Sequence, residues 1–231
     1  MALKIFDTLA PQGEFPAAKA KDIALEDGTR LEDAVEQLRA DILYEPITIT
    51  SISIQPSVAQ LGDVIENPTL VWAVSREPVE QTVDGVSVDP SVREYEVEGA
   101  FGGTRSVAVR VVDERGAAAS KSATMNFYNS VYSTSHWPGR EMPSDEELRA
   151  MSGRLQSGMG LTIYTAAGAG EYVLYACPSR MGTPEFWANG FQGGFEKLGT
   201  FLHTNAAGYA ENYDVWLSNA AGLSGVTITV K

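Results

Sequence analysis

The 231-residue chain has one cysteine, two histidines, and 17 lysines and arginines against 30 aspartates and glutamates. Each scarcity removes a class of function. With Cys177 alone no intrachain disulfide can form, which agrees with synthesis in a reducing cytosol. His136 and His203 are far apart and make no HxxxH or HExxH pair, so a spaced zinc motif is missing and no metal or cofactor is expected. A net charge of −13 without a basic stripe argues against a nucleic-acid partner, because counterion release needs clustered cations. No run approaches the roughly 18–20 apolar residues that cross a bilayer, and the start shows neither a basic leader nor a long apolar run. Membrane insertion and a signal peptide are therefore not expected.

What remains suits packed domains: 44% of residues are hydrophobic, enough for a core. Residues 1–45 read as an arm followed by a short helix. Ile5, Phe6, Leu9 and Phe15 are apolar points in a stretch broken by Pro11, Gly13 and Pro16, which exclude a continuous helix. They are candidate docking residues for a partner groove; a terminus packed on its own domain is the plainer alternative. Asp27-Gly28 marks a turn. Leu31, Val35, Leu38 and Ile42 then recur at 4-3-4 spacing, predicting a helix over Leu31–Leu43 with one apolar stripe. Such a stripe serves self-association or a helix lying on its own sheet.

Residues 46–130 read as an immunoglobulin-like β-sandwich. Thr48–Ile54 alternates polar and apolar residues, and short runs follow at Leu70–Val74, Thr82–Val88, Glu94–Glu98, Val107–Val112 and Ala123–Phe127. Asp84-Gly85 lies between two valine-containing runs and predicts a type I′ hairpin turn, whose central residues need positive φ. Trp72 is the expected core aromatic. The antibody-type cysteine pair is missing, which makes a bacterial or phage spacer domain the nearer comparison.

Residues 131–231 read as a second β-rich domain with one short helix. Tyr128–Pro143 is rich in Ser, Tyr and Pro and reads as a connector. Ser144 and Glu147 have the spacing of a capping box, and Leu148, Met151 and Leu155 give the helix an apolar face before Gly158 and Gly160. Strands are expected at Leu161–Thr165, Glu171–Cys177, Lys197–His203, Asn212–Leu217 and Val226–Val230. This region holds 13 of the 21 aromatic residues. Trp187, Phe191, Tyr209, Tyr213 and Trp216 are interleaved with Asn, Gln, Asp and Gly, a composition that fits sugar stacking and equally fits a core or an interface. Phe186 and Trp187 cannot both face inward on one strand.

Two stretches carry a family resemblance. Ile5–Leu9, Pro11, Gly13, Phe15–Pro16, Asp22–Ile23 and Asp27–Leu31 are similar to the N-terminal anchor phrase of tailed-bacteriophage fibre and tail proteins. The ending YAENYDVWLSNAAGLSGVTITVK resembles the last hairpin of phage tail and fibre tip domains. The resemblance implies a virion protein anchored through Ile5, Phe6, Leu9 and Phe15 to other virion proteins. It also implies a trimer, gathered through Leu31, Val35, Leu38 and Ile42, and a tip that contacts a bacterial surface glycan.

No catalytic constellation stands out. No GxSxG elbow occurs, and Ser152 and Ser157 have no histidine near in sequence. Gly168-Ala169-Gly170 and Gly158-Met159-Gly160 lack the third glycine and the following helix of a dinucleotide site. Cys177 sits in an apolar run, where a thiol is inert. Glu171, Glu185, Glu196, Glu211 and Asp214 are the acids a glycan-cleaving tip would need to pair, yet their spacing selects no pair. The expectation is a non-enzymatic fibre-like appendage. A head or collar decoration protein without a ligand and a tip polysaccharide hydrolase are its alternatives.

Overall fold

Strand-rich sequence between short turns becomes two stacked-sheet bodies in tandem. A computed structural model describes Leu25 and residues 27–231; the proposed arm residues Ile5, Phe6, Leu9 and Phe15 lie outside the described residues. Thr48–Lys231 forms one compact unit, and the first helix belongs to the other, Met1–Ile47.

Helix α1 spans Leu31–Ile42. It follows the expected Asp27-Gly28 turn, in which the Thr29 N–H donates to Asp27 Oδ1 (2.9 Å). Its N-cap is Arg30, which supplies no capping side chain, and none of its residues is buried.

The first body contains β1 (Ile49–Gln55), β2 (Val58–Gln60), β3 (Ile65–Glu66), β4 (Thr69–Val74), β5 (Glu80–Val83), β6 (Val86–Ser87), β7 (Glu94–Glu96), β8 (Ala100–Phe101), β9 (Arg105–Val112) and β10 (Ala118–Tyr128). One sheet runs β1-β4-β7 and the other β2-β10-β9-β5-β6, with β2 parallel to β10. In immunoglobulin lettering these are A-B-E and A′-G-F-C-C′, so the sandwich is Ig-like by strand order. Asp84 (φ 46) and Gly85 (φ 82) form the expected tight turn between β5 and β6. Trp72 is buried as expected, on the strand that carries one cysteine of the antibody-type pair. Its indole N–H donates to Oε1 of Gln81 on the opposite sheet (3.0 Å), and the Gln81 amide donates to the carbonyls of Asp89 and Val92. A fully bonded polar link thus joins strands B and C across the core, whereas an antibody domain has a covalent link between B and F.

The second body contains β11 (Ser130–Trp137), α2 (Asp145–Ala150), β12 (Gly153–Leu155), β13 (Leu161–Ala166), β14 (Tyr172–Pro178), β15 (Phe186–Ala188), β16 (Phe191–Gln192), β17 (Phe195–Thr204), β18 (Ala210–Ser218) and β19 (Ser224–Val230). Two sheets face each other, β12-β11-β14-β18-β17 and β13-β19-β15-β16. Val131, Val173, Tyr175, Cys177, Phe186 and Ile228 pack in a core that both sheets supply. Tyr132, Trp137, Leu148, Leu174, Tyr213 and Leu217 make a second cluster that includes the buried residue of α2. The central strand β14 is therefore buried along both sides, which explains its unbroken apolar run.

Two expectations are corrected here. The first half of the connector is strand β11, because Val131, Tyr132 and Trp137 give the Ser/Thr-rich run enough buried surface to pair with β14 and β12. Helix α2 ends at Ala150, and Leu155 belongs to β12 instead of the helix face. The reason is Gly153: a Cβ there would lie 2.8 Å from Tyr132 Cε1 and 2.9 Å from Ser130, so only glycine lets this strand approach β11. The capping box itself forms as expected. Ser144 Oγ accepts from the Glu147 N–H (3.2 Å) and the Ser144 N–H donates to the Glu147 carboxylate (2.8 Å).

A single residue, Asn129, joins β10 to β11. It is buried, accepts from the Asn205 amide (2.8 Å) and donates to the Glu211 carboxylate. The Asn205 amide also donates to the Leu61 carbonyl (2.7 Å), and Gly62 leaves no room for a Cβ beside Ala207 and Tyr209. Side-chain amides therefore lock the junction of the two bodies.

Candidate functional site

The helix stripe is the first candidate surface. Leu31 is half-buried, whereas Val35, Leu38 and Ile42 are 40%, 58% and 72% exposed. Leu43 beyond them is exposed as well. A helix of this length with an open apolar face is marginal by itself. The acids Glu32, Asp33 and Glu36 lie exposed between the stripe positions, and Gln37 donates to Asp41 (3.1 Å).

The five aromatic residues do not gather at one place. Tyr213 is fully buried: its ring packs on His203 and Tyr132, and its hydroxyl donates to the Ser130 carbonyl (2.7 Å). It is a core residue and leaves the set of glycan candidates. Burial pushes its hydroxyl far above the ordinary tyrosine range, and the same holds for Tyr175. Trp216 is half-buried against Phe186 (5.7 Å between rings) and belongs to the margin of the inter-sheet core. Tyr209 is exposed at the junction beside Gly62. Trp187 and Phe191 sit on one hairpin, but the register pairs Trp187 with Gln192 and Phe191 with Ala188, placing them on opposite faces. Phe191 is 81% exposed at the sheet edge. Of the Phe186-Trp187 pair, Phe186 points into the core, stacked on Phe195 at 4.0 Å, and Trp187 points outward.

The titratable groups are tied into separate structural contacts. Glu171 accepts from Gly168 N–H (2.6 Å) and lies 2.8 Å from His136 Nδ1. The His136 bond and then the Gly168 bond hold its carboxyl below the usual range. Glu196 pairs with Arg140, and Glu211 with Arg180 (2.9 Å). Asp214 accepts from Ser179 (2.6 Å), Thr200 (2.7 Å) and Lys197 (2.7 Å). Burial alone would raise that carboxyl, but the three donors bring it below its ordinary value. None of these acids lines the two recesses beside Trp137 and Pro138, whose carboxylates are Glu141 and Glu147.

His203 is buried between Asp145 (2.7 Å) and the Tyr132 hydroxyl (3.3 Å), a hydrogen-bonded structural position. Cys177 is buried, and burial pushes its thiol up to about 11, so it is no thiolate at neutral pH. Among the described residues, no group of three or more His, Cys, Asp or Glu is placed to hold a metal ion.

No protein-family model matches this chain, and no curated protein does. Two chains of solved structures match it. One is the crystal structure of Down Syndrome Cell Adhesion Molecule (DSCAM) isoform 1.30.30, N-terminal eight Ig domains. The identity is 10%, the TM-score 0.26, and the match covers 80% of this chain and 23% of that one. This chain thus spans about a quarter of that structure. A likeness of that size carries no argument; the Ig-like assignment rests on the strand order.

Proposed function

We propose that this chain is a non-enzymatic, self-associating appendage of a tailed-phage virion. On this reading the arm with Ile5, Phe6, Leu9 and Phe15 docks on other virion proteins. Helix α1 gathers three chains, and the two β bodies project as a stiff spacer and tip that meets the host surface. The observation that carries the reading is the open stripe Val35, Leu38 and Ile42 on a helix without buried residues. Burying a fully exposed Val, Leu or Ile side chain is worth about 1.5–3 kcal/mol, and these three, 40–72% exposed, stand to gain a part of that each from a partner. The amide lock at Asn129 and Asn205 supports the spacer role, since it leaves no slack linker between the bodies.

The purely structural alternative draws on a different observation: Tyr213 is core, and Trp216 lies at its margin. A decoration protein without a ligand needs no exposed aromatic set.

The test is mass in solution, for the full chain and for a chain starting at Pro46. The expected result is three times the 24.8 kDa chain mass for the first and a monomer for the second. A monomer in both overturns assembly through α1.

A further inference from the structure

The outer face of the sheet β13-β19-β15-β16 is open. Ile163, Phe186, Ile228 and Val230 point to the core, so alternation turns Thr162, Tyr164, Trp187, Thr227 and Thr229 outward. Cross-strand register sets Thr162, Thr229, Trp187 and Gln192 in one row. Tyr164 stands beside Thr227 in the next, where the Thr227 N–H donates to Asn189 Oδ1 (3.0 Å). Tyr164 is 78% exposed. Two strand spacings, about 10 Å, separate the strands that carry the two rings.

The face has no net charge on a strongly acidic chain. Glu185 and Lys231 occupy one end of it, opposite in sign and paired through their backbones (3.0 Å each way). The Lys231 ammonium lies 4.8 Å from the centre of the Trp187 ring, and the indole N–H is buried without a hydrogen-bond partner. The ammonium occupies one face of this half-buried ring, so a pyranose stacks on Trp187 only by taking the place of the Lys231 side chain, whose C–H groups seek the same π face.

We propose that this face binds a neutral polysaccharide, with Tyr164 and Trp187 as stacking platforms and Thr162, Thr229 and Gln192 as hydroxyl and amide partners. The site rests on the host-contact reading above and gives it a place and a ligand class. The chemistry selects among occupants. A protein partner wants an apolar centre over about 800 Å² a side, and here the groups between the rings are hydroxyls and amides. An acidic polymer would want cations, and the face offers Lys231 alone among the described residues.

The experiment is electrophoresis of the full native chain through gels holding dextran, mannan or amylose, and through a gel holding acidic alginate. At least one neutral polymer retards the chain and alginate does not. Tyr164→Ala weakens that retardation about tenfold. Thr229→Val, which keeps shape and removes a hydroxyl, weakens it as well, while Phe191→Ala on the opposite face leaves it unchanged. Retardation that survives both Tyr164→Ala and Thr229→Val overturns the placement and leaves host adhesion standing elsewhere. Retardation by alginate alone overturns the ligand class. No retardation by any of the four polymers overturns the site and the adhesive role, and the solution mass then still judges assembly through α1.

Discussion

The two helices of this chain are built on opposite terms. Helix α2 has six residues, a complete capping box and Leu148 fully buried in a cluster with Tyr213 and Leu217. Helix α1 has twelve residues, no side-chain cap and nothing buried. By length alone α1 should be the sturdier, since propagation favours longer helices. The difference teaches that tertiary cover decides helix stability here: the short helix is covered within the β unit, and on the proposed reading the long one is covered by copies of the chain.

The sharpest way to break this comparison is to uncover α2. Leu148→Ala should cost about 2–5 kcal/mol in urea unfolding of the β unit, as a buried leucine truncation does. Leu38→Ala should shift the same transition by less than about 0.5 kcal/mol, because α1 belongs to a different unit from the one whose unfolding is read. Equal effects would erase the distinction. Next in size is the cap: Ser144→Ala should cost about 1 kcal/mol, read from the same urea curve. The converse change, Arg30→Asp, gives α1 the cap it lacks and should favour its helix by about 0.5–1 kcal/mol, read as added far-UV helicity. The smallest effect is one of pH. Hydrogen bonds from the Ser144 N–H and hydroxyl hold the Glu147 carboxyl below its ordinary value of 4.5. A lowered folded value means that the stabilisation is present above 4.5 and is lost as pH falls through the lowered value. Glu147→Gln keeps the box without the charge, so its deficit against the native chain should close as the solution is acidified.

The contrast between the helices is largely legible in the amino-acid sequence. Ser144 with Glu147 announces α2, and Leu31, Val35, Leu38 and Ile42 announce the stripe of α1, because caps and periodicity are local signals. The Asp84-Gly85 turn is legible for the same reason: two positive φ values in a row leave few residue choices. Asn189-Gly190 (φ 47 and 88) makes the corresponding turn between β15 and β16 and carries the same signal, hidden in an aromatic-rich run without flanking alternation. Strand β11 is not legible as a strand. Its Ser-Thr-Ser stretch resembles a linker, and its partners β12 and β14 lie tens of residues away in sequence. Tyr213 fails as a surface candidate because β18 is covered on both sides, so its alternation has no solvent face to report. The proposed glycan face escapes sequence reasoning for the converse reason. Tyr164 and the threonines of β13 and β19 are ordinary strand residues until register aligns them with Trp187.

The central claim is that α1 is completed by copies of itself. The most direct measurement is sedimentation equilibrium of the full chain carrying Leu38→Asp, beside the native chain. The account predicts a trimer for the native chain and a monomer for the variant, with the unfolding of the β unit unchanged. The same mass for both would contradict it.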